Sequence, residues 1–356
     1  MSVQTQASQT QASKKVAQDA FAARMAEKHI TPLWTVARNL VMHEPAPRVP
    51  PVYWSYRRDV RPYMLEAADL ITAAEAHRRV LVLNNPTLKH GATHTLTCAI
   101  QLIKGGEIAP AHRHSQAALR FVIEGEGAYT AVNGERTYMQ PGDFIVTPAW
   151  TWHDHGKETE GVMIWLDGLD VPLVNHLGAT FSDDYDEATF PQSRPPHDSL
   201  SRYGSGMLPL EPVQQRYSPV FSYPYERTRT ALENLRKADD LDACHAIKLK
   251  FANPVTGDWV MPTIATFAQL LPKGFHTAPY RSTEATVVMV AEGSGKATVG
   301  DQTYTLQQHD IFVVPNWTWW ELEAEDDLVL LSYSDRAVLD KLDLWREQRA
   351  NEPVRL

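Results

Sequence analysis

His112 and His114 stand two residues apart, and His153 follows 39 residues after the second of them. On a β-strand, side chains two apart share a face, so His112 and His114 can meet one cation while Arg113 points the other way. Three neutral imidazoles suit a borderline divalent ion such as iron, and a three-ligand set leaves positions open for a substrate and for oxygen. That is a reaction centre rather than a closed structural site. A His-x-His pair alone fits a solvated strand equally well. Here, however, Gly106 precedes His112 by six residues, Gly142 precedes Pro148 by six, and Pro148 precedes His153 by five. Turns at these places bring the two histidine-bearing segments back to one locality.

The elements that must carry these residues occur twice. The segment from Thr95 and the segment from Thr263 align at an offset of 168, which becomes 167 by Pro148 and Pro315. Gln101 matches Gln269, Gly125 matches Gly293, Asp143 matches Asp310 and Trp150 matches Trp317. This is an internal repeat. It also supplies a control, because His112, His114 and His153 face Tyr280, Ser282 and Trp320 in the second copy. An indole nitrogen only donates, so that triplet cannot hold the same ion. His276 and Glu284 lie nearby at spacings that match no ligand set.

Within each copy, short apolar runs alternate with turn signals. Residues 119–123, 128–132, 137–139 and 144–147 read as strands, and Asn133-Gly134 as a tight hairpin turn. Strands of this length and spacing predict an all-β core with a small barrel or sandwich in each copy. Helices are expected over residues 18–40, 67–79 and 228–246, and residues 181–216, rich in Pro, Asp, Ser and Gly, read as a linker or long surface crossing. The resulting division is a tail and helical segment (1–80), a first barrel with the metal site (81–180), linker and helix (181–246), a second barrel without ligands (247–340) and a C-terminal tail (341–356).

The formal charge is −9, from 34 Lys plus Arg against 43 Asp plus Glu. Without a basic stripe, this excludes a nucleic-acid partner while permitting a small anion held by local arginines. Two cysteines, Cys98 and Cys244, form no disulfide framework in so long a chain. Residues 1–19 lack an apolar core and read as a frayed tail rather than a signal peptide. With no run of the roughly 20 apolar residues that crosses a bilayer, a cytoplasmic protein without membrane contact is expected.

The motifs Gly106-x5-His112-x-His114-x3-Ala118-x6-Gly125 and Gly142-x5-Pro148-x-Trp150-x2-His153 resemble those of the cupins. In tandem they resemble the bicupin ring-cleaving dioxygenases, the family of gentisate, salicylate and 1-hydroxy-2-naphthoate dioxygenases. Ala118 stands where many cupins carry a glutamate ligand, and Trp150 where they carry glycine. The loss of the carboxylate fits a three-histidine ferrous site. Likeness extends to Ile30-Thr31-Pro32-Leu33-Trp34 and Trp165-Leu166-Asp167-Gly168-Leu169-Asp170. The resemblance implies double-stranded β-helix barrels, an Fe(II) cofactor, a small aromatic ortho-hydroxy acid and dioxygen as substrates, and a homotetramer. For gentisate, cleavage between the carboxylate-bearing carbon and its hydroxyl-bearing neighbour gives maleylpyruvate.

Arg120 lies six residues beyond His114, and on a continuous strand that even separation keeps it on the ligands' face. It can fork onto the substrate carboxylate or support bound oxygen or, if exposed, pair with Glu124 or Glu126. Gln101 is a candidate for a substrate hydroxyl, although its match with Gln269 also suits a structural role. Asp167 follows an apolar run and requires a partner if buried, either His155 or an arginine. By resemblance, His155 contacts the ring hydroxyl and handles a proton, and Arg79 binds carboxylate, although neighbouring Arg78 is not separable from it. Trp150, Trp152 and Trp165 read as packing. Competing functions are a metal-dependent isomerase or hydrolase, which would turn over without oxygen, and a non-enzymatic binding protein, which would not need His112.

Overall fold

The computed structural model describes residues 3–76, 78–213, 216–238 and 240–355. The chain divides into two units, Met1–Ala46 and Pro47–Leu356. The first holds α1 (Val3–Ala26) and α2 (Leu33–Leu40). The expected frayed tail is therefore helical from Val3. Its Ala, Gln and Lys residues favour helix without forming an apolar stripe, so periodicity gave no signal. Met1 and Ser2 lie outside the described residues, as do His77 in the expected second helix and residues 214–215 of the expected linker.

In the second unit, β1 (Val52–Trp54) leads through a π-helical turn (Tyr56–Val60) to α3 (Arg61–Leu70) and α4 (Ala73–Ala76). The first repeat follows as β2 (Arg79–Val82), β3 (Thr97–Lys104), β4 (Ile108–His114), β5 (Ala118–Glu124) and β6 (Ala128–Val132). It continues with β7 (Glu135–Tyr138), β8 (Phe144–Thr147), β9 (His153–Lys157) and β10 (Val162–Leu169). The connection carries α5 (Val171–His176), β11 (Ser182–Asp184), α6 (Asp198–Tyr203), β12 (Ser222–Tyr223) and α7 (Tyr225–Ala238). The second repeat runs through β13 (Ile247–Lys250), β14 (Ala265–Leu271), β15 (Tyr280–Ser282), β16 (Thr286–Glu292) and β17 (Gly295–Val299). It ends with β18 (Gln302–Leu306), β19 (Ile311–Val314), β20 (Trp320–Ala324) and β21 (Leu328–Ser334), before α8 (Arg336–Lys341) and β22 (Glu347–Arg349).

These strands form four antiparallel sheets, ordered β12-β8-β5-β10-β3-β2 and β11-β4-β9-β6-β7 in the first repeat. The second-repeat sheets run β1-β19-β16-β21-β14-β13 and β18-β17-β20-β15-β22. The expectation of an all-β core of closed double-stranded β-helix barrels is corrected here. Each sheet is open, with its outermost strands unjoined, and helices flank the sheets in a mixed α/β fold. Period-two patterning specifies which face of a strand is buried. It does not specify whether the array closes on itself or is covered by a second sheet. Part of the expected linker, β11, joins the sheet of the histidines, with Asp184 opposite His112 and Ser182 opposite His114.

Alternation along β5 explains how a sheet can serve two surfaces. Leu119, Phe121 and Ile123 enter one core with Val287, Met289, Ile311, Val313 and Leu331 of the second repeat. Val122 turns the other way, with Ile103, Met163 and Trp165, into the interior of the first repeat, and Arg120 shares that direction. The two six-stranded sheets are thus packed back to back. At this seam Gly168 is required by close approach, since a Cβ there would lie 2.7 Å from the Tyr333 ring, whose hydroxyl donates to Thr97 O at 2.7 Å.

A reciprocal pair of carboxylates joins the repeats. Asp170 accepts from the Thr263 hydroxyl at 2.5 Å and the Ala117 amide at 3.0 Å. Asp335 accepts from the Thr95 hydroxyl at 2.7 Å and the Ala285 amide at 2.9 Å. Each aspartate closes its own repeat and holds the threonine that starts the other.

Candidate metal centre

His112 and His153 are directly opposed across β4 and β9, beside a register irregularity between Ala109 and His112. His114 shares the face of His112, and the ligand nitrogens of all three lie within 4.8 Å of one another. Ring centroids are 4.0 Å apart for His112 and His153, 4.9 Å for His114 and His153, and 5.3 Å for His112 and His114. Each Nδ1–H donates to a carbonyl: His112 to Pro110 at 3.0 Å, His114 to Gln116 at 2.9 Å and His153 to Thr151 at 2.9 Å. These bonds fix the tautomer and leave every Nε2 lone pair free. Burial, with nearby Arg78 and His114, pulls His112 down to about 3, burial pulls His114 down to about 4, and burial holds His153 well below the ordinary value. Three neutral, oriented nitrogen donors without a carboxylate fit a ferrous ion. Among the described residues, no other cluster of potential ligands of this kind occurs. His276 is exposed and 3.8 Å from Glu321, whereas Glu284 accepts from Ser282, so neither joins such a set.

Behind the triad lies a fully desolvated polar chain. Arg120 donates from Nη1 to Thr147 Oγ1 at 2.6 Å and from Nη2 to His155 Nε2 at 3.1 Å. With Nε2 accepting, Nδ1–H of His155 donates to Thr130 Oγ1 at 2.9 Å, and Thr130 in turn meets Met139 Sδ at 3.4 Å. Burial and then Arg120 hold His155 well below the usual histidine range. Asp167 Oδ1 accepts from Trp165 Nε1 at 3.1 Å and pairs with Arg120 Nε at 3.2 Å. Burial nonetheless raises its carboxyl to about 6, with Arg120 opposing the rise. Asp167 therefore pairs with the arginine rather than with His155.

The remaining candidates separate cleanly. Arg79 donates to Glu107 in a fork with both contacts at 2.5 Å, and from Nε to Ile71 O at 2.6 Å. The structure therefore does not bring Arg79 to the triad. Arg78, unlike Arg79, lies with Arg120 in the field of His112; its Nη2 lies 3.5 Å from Pro110 O and its buried Nε has no partner. Gln101 is buried and opposes Trp165, on the interior face of β3. Gln269 donates to His245 O at 2.9 Å, whereas no hydrogen bond engages the Gln101 side chain among the described residues. Arg113, pointing away from the triad, is stacked between Trp150 and Trp152 at 4.5 and 4.4 Å and pairs with Asp183 at 2.6 Å. Trp150 has φ +58°, which accounts for the glycine usual at this place.

The second repeat shows what the fold demands without the chemistry. Strand register places Val288 opposite Ser332 where Arg120 opposes Asp167, and Leu330 where Trp165 stands. Ala297 opposes Leu322 where Thr130 opposes His155, and Val314 opposes Thr286 where Thr147 opposes Ala118. An apolar core fills that interior, so the polar chain of the first repeat is not a folding requirement. Sequence reasoning missed Thr130 and Thr147. The repeat alignment held the signal for Thr147, which faces Val314 in the other copy, whereas the apolar counterpart of Thr130, Ala297, emerges only from strand register.

Residues 99–169 match the cupin domain family. The chain is 48% identical over 332 residues to gentisate 1,2-dioxygenase 1 of Aquipseudomonas alcaligenes, covering 92% of this chain and 95% of that protein. It is 36% identical to 5-aminosalicylate 1,2-dioxygenase of Comamonas sp., covering 94% and 91% respectively. Among solved structures, salicylate 1,2-dioxygenase of Pseudoaminobacter salicylatoxidans as an adduct with gentisate superposes with a TM-score of 0.87 at 32% identity, covering 94% of both chains.

Proposed function

The chain belongs to the bicupin ring-cleaving dioxygenases, the family of gentisate 1,2-dioxygenase, and from that premise we propose that gentisate is its substrate. The ring opens between the carboxylate-bearing carbon and the adjacent hydroxyl-bearing carbon, with both atoms of dioxygen incorporated, to give maleylpyruvate. The observation that carries this reading is a donor set of three neutral imidazoles without a carboxylate, adjoining the half-buried Arg78 and the buried Arg120. Such a site lacks negative charge, which an ortho-hydroxy acid brings in its carboxylate and neighbouring oxygen. Bound ferrous iron supplies the redox partner that lets ground-state dioxygen react with a closed-shell ring.

The chain's own residues bind and orient. Arg78, with a buried Nε that has no partner, is assigned to the substrate carboxylate in place of Arg79. Gln101, free on the interior face, is assigned to the ring hydroxyl beside the carboxylate. His155 is assigned to the distal hydroxyl, where its Nε2 exchanges Arg120 for the substrate; this contact favours gentisate over salicylate. Asp167 keeps Arg120 in place and acts through it. Trp165, fully buried 5.5 Å from His155, helps exclude water.

No helix among the described residues is long and apolar enough to cross a membrane. A cytoplasmic homotetramer, with each copy organised as residues 1–80, 81–180, 181–246, 247–340 and 341–356, completes the proposal and rests on the family relationship. Light scattering of the purified chain tests its assembly. The substrate assignment is tested by anaerobic loading with ferrous iron, followed by oxygen, with gentisate, salicylate and 1-hydroxy-2-naphthoate in parallel. Ring-opening absorbance should rise fastest with gentisate, and faster turnover of salicylate would reject the assignment.

A further inference from the structure

The ligand-free second repeat contains a cleft of about 660 Å³ at the place corresponding to the mouth of the metal centre. Strand register establishes the correspondence. Lys248 of β13 opposes Gln269 as Val80 opposes Gln101, and Tyr280 opposes Arg349 as His112 opposes Asp184. The volume lies within the ~300–1,000 Å³ of small-molecule sites. The polarity of the lining has changed along with the loss of ligands. An arginine, Arg349, now stands where the first repeat has Asp184, and Lys248 stands where it has Val80.

The cations around this cleft differ in how they are satisfied. Lys341 pairs with Asp258 at 3.2 Å, Arg349 with Asp242 at 2.8 Å, and Lys250 donates to Gly257 O at 3.0 Å. Lys248 has neither an ion pair nor a hydrogen bond among the described residues; its ammonium lies 4.5 Å from the centre of the Phe267 ring. Burial lowers its pKa, and Arg336 adds to the lowering. The two carboxylates whose fields oppose this, Glu284 and Glu347, are committed elsewhere. Glu284 accepts from Ser282 at 3.2 Å, and Glu347 from the Tyr280 hydroxyl at 3.0 Å. Arg336 also lines the cleft with its Nε buried and without a hydrogen bond, 3.6 Å from Asp340. His245 Nδ1 is buried and unpartnered at the same cleft.

Lys248 has no counter-charge in contact and Arg336 has only the carboxylate of Asp340 at 3.6 Å, so a bound anion would supply the negative charge that this half-buried pair lacks. Trp259, Phe267 and Tyr280, each nearly buried, line the cleft between them, with Lys248 against Phe267 and Lys250 and Arg336 against Trp259, and give it an apolar floor for an aromatic ring. We infer that the second repeat retains a metal-independent binding site for a small aromatic carboxylate, its carboxylate held by Lys248 and Arg336 and its ring against Trp259, Phe267 and Tyr280. The duplicated half has thus lost the reaction while keeping recognition of the acid. The inference does not rest on ring cleavage, and loss of either conclusion leaves the other standing.

The test uses the full iron-loaded chain and 4-bromobenzoate, which lacks the ortho-hydroxyl. Crystals soaked with it should show bromine anomalous scattering in the second-repeat cleft, and the peak should vanish in Lys248→Met crystals soaked identically. In anaerobic calorimetry, Lys248→Met should weaken this binding event by about tenfold or more, while Lys248→Arg should preserve it. Turnover at saturating substrate should be the same in Lys248→Met and the parent. Acetate should bind far more weakly than 4-bromobenzoate. Absence of bromine from the cleft of the parent protein overturns the inference, whatever the folding of the variants. Unchanged affinity in Lys248→Met, or acetate binding as tight as 4-bromobenzoate, overturns it as well.

Discussion

Replacing Arg120 by methionine should abolish turnover and also reveal how the buried polar chain is maintained. The Arg120 and Asp167 side chains are 4% and 8% exposed, so the change strands a buried carboxylate. Breaking such a pair costs about 3–5 kcal/mol. Asp167 has an ordinary value of 3.8 that burial already raises to about 6, and loss of the opposing arginine raises it further. A raised carboxyl contributes stability at low pH that is lost as pH rises through the folded-state value, at up to ~1.4 kcal/mol per pH unit. The deficit of Arg120→Met, read from urea midpoints of the metal-free protein, should therefore be largest near pH 8 and shrink towards pH 5. The second repeat supplies the compensating change, since Val288 opposes Ser332 at the equivalent positions. Arg120→Val combined with Asp167→Ser should recover most of the stability at pH 8 without recovering turnover. A double variant as unstable as Arg120→Met, or an Arg120→Met enzyme that keeps normal kcat, would refute the reasoning.

Single alanine replacements of His112, His114 and His153 should each remove bound iron and turnover, measured by metal analysis and oxygen uptake. Their far-ultraviolet circular dichroism should stay unchanged, because the second repeat folds with Tyr280, Ser282 and Trp320 in their places. Chelation should silence the enzyme, and ferrous iron, but not zinc, should restore it. Arg79→Ala should lower the unfolding free energy read from urea titration by about 2–3 kcal/mol through loss of the part-buried Glu107 pair, whereas Arg78→Ala should mainly raise KM for the acid; the opposite pattern would exchange their roles. Metal-free protein should lose stability as pH falls below 6.5, because the unfolded histidines take up protons first. This loss should continue towards about 4 and about 3, where His114 and His112 titrate in the folded chain. A flat urea midpoint across that range would contradict the burial of neutral imidazoles.

The triad was legible because strand periodicity and the repeat acted together: two histidines at period two, a third behind a proline, and a second copy lacking all three. Thr130 and Thr147 were hidden because they meet His155 and Arg120 across strands rather than along the chain. Arg78 and Arg79 differ by one residue at the edge of a strand. Only the placement of Glu107 decides which is consumed by an ion pair. Alternation likewise located the inward faces of β5 and β10, but open and closed arrays bury the same faces, so the barrels expected from the sequence became facing sheets. The opening helix was expected only from residue 18, because its earlier, polar part carries helix propensity without an amphipathic rhythm.

The crossed aspartate–threonine contacts between the repeats have a mechanical consequence. Neither half can be cut away without leaving the other with an uncapped buried carboxylate and an exposed apolar back. The silent copy therefore serves as an anvil for the reactive one, and a substitution on its hidden face, far from any imidazole, can alter catalysis by moving the surface on which the histidine-bearing half is supported.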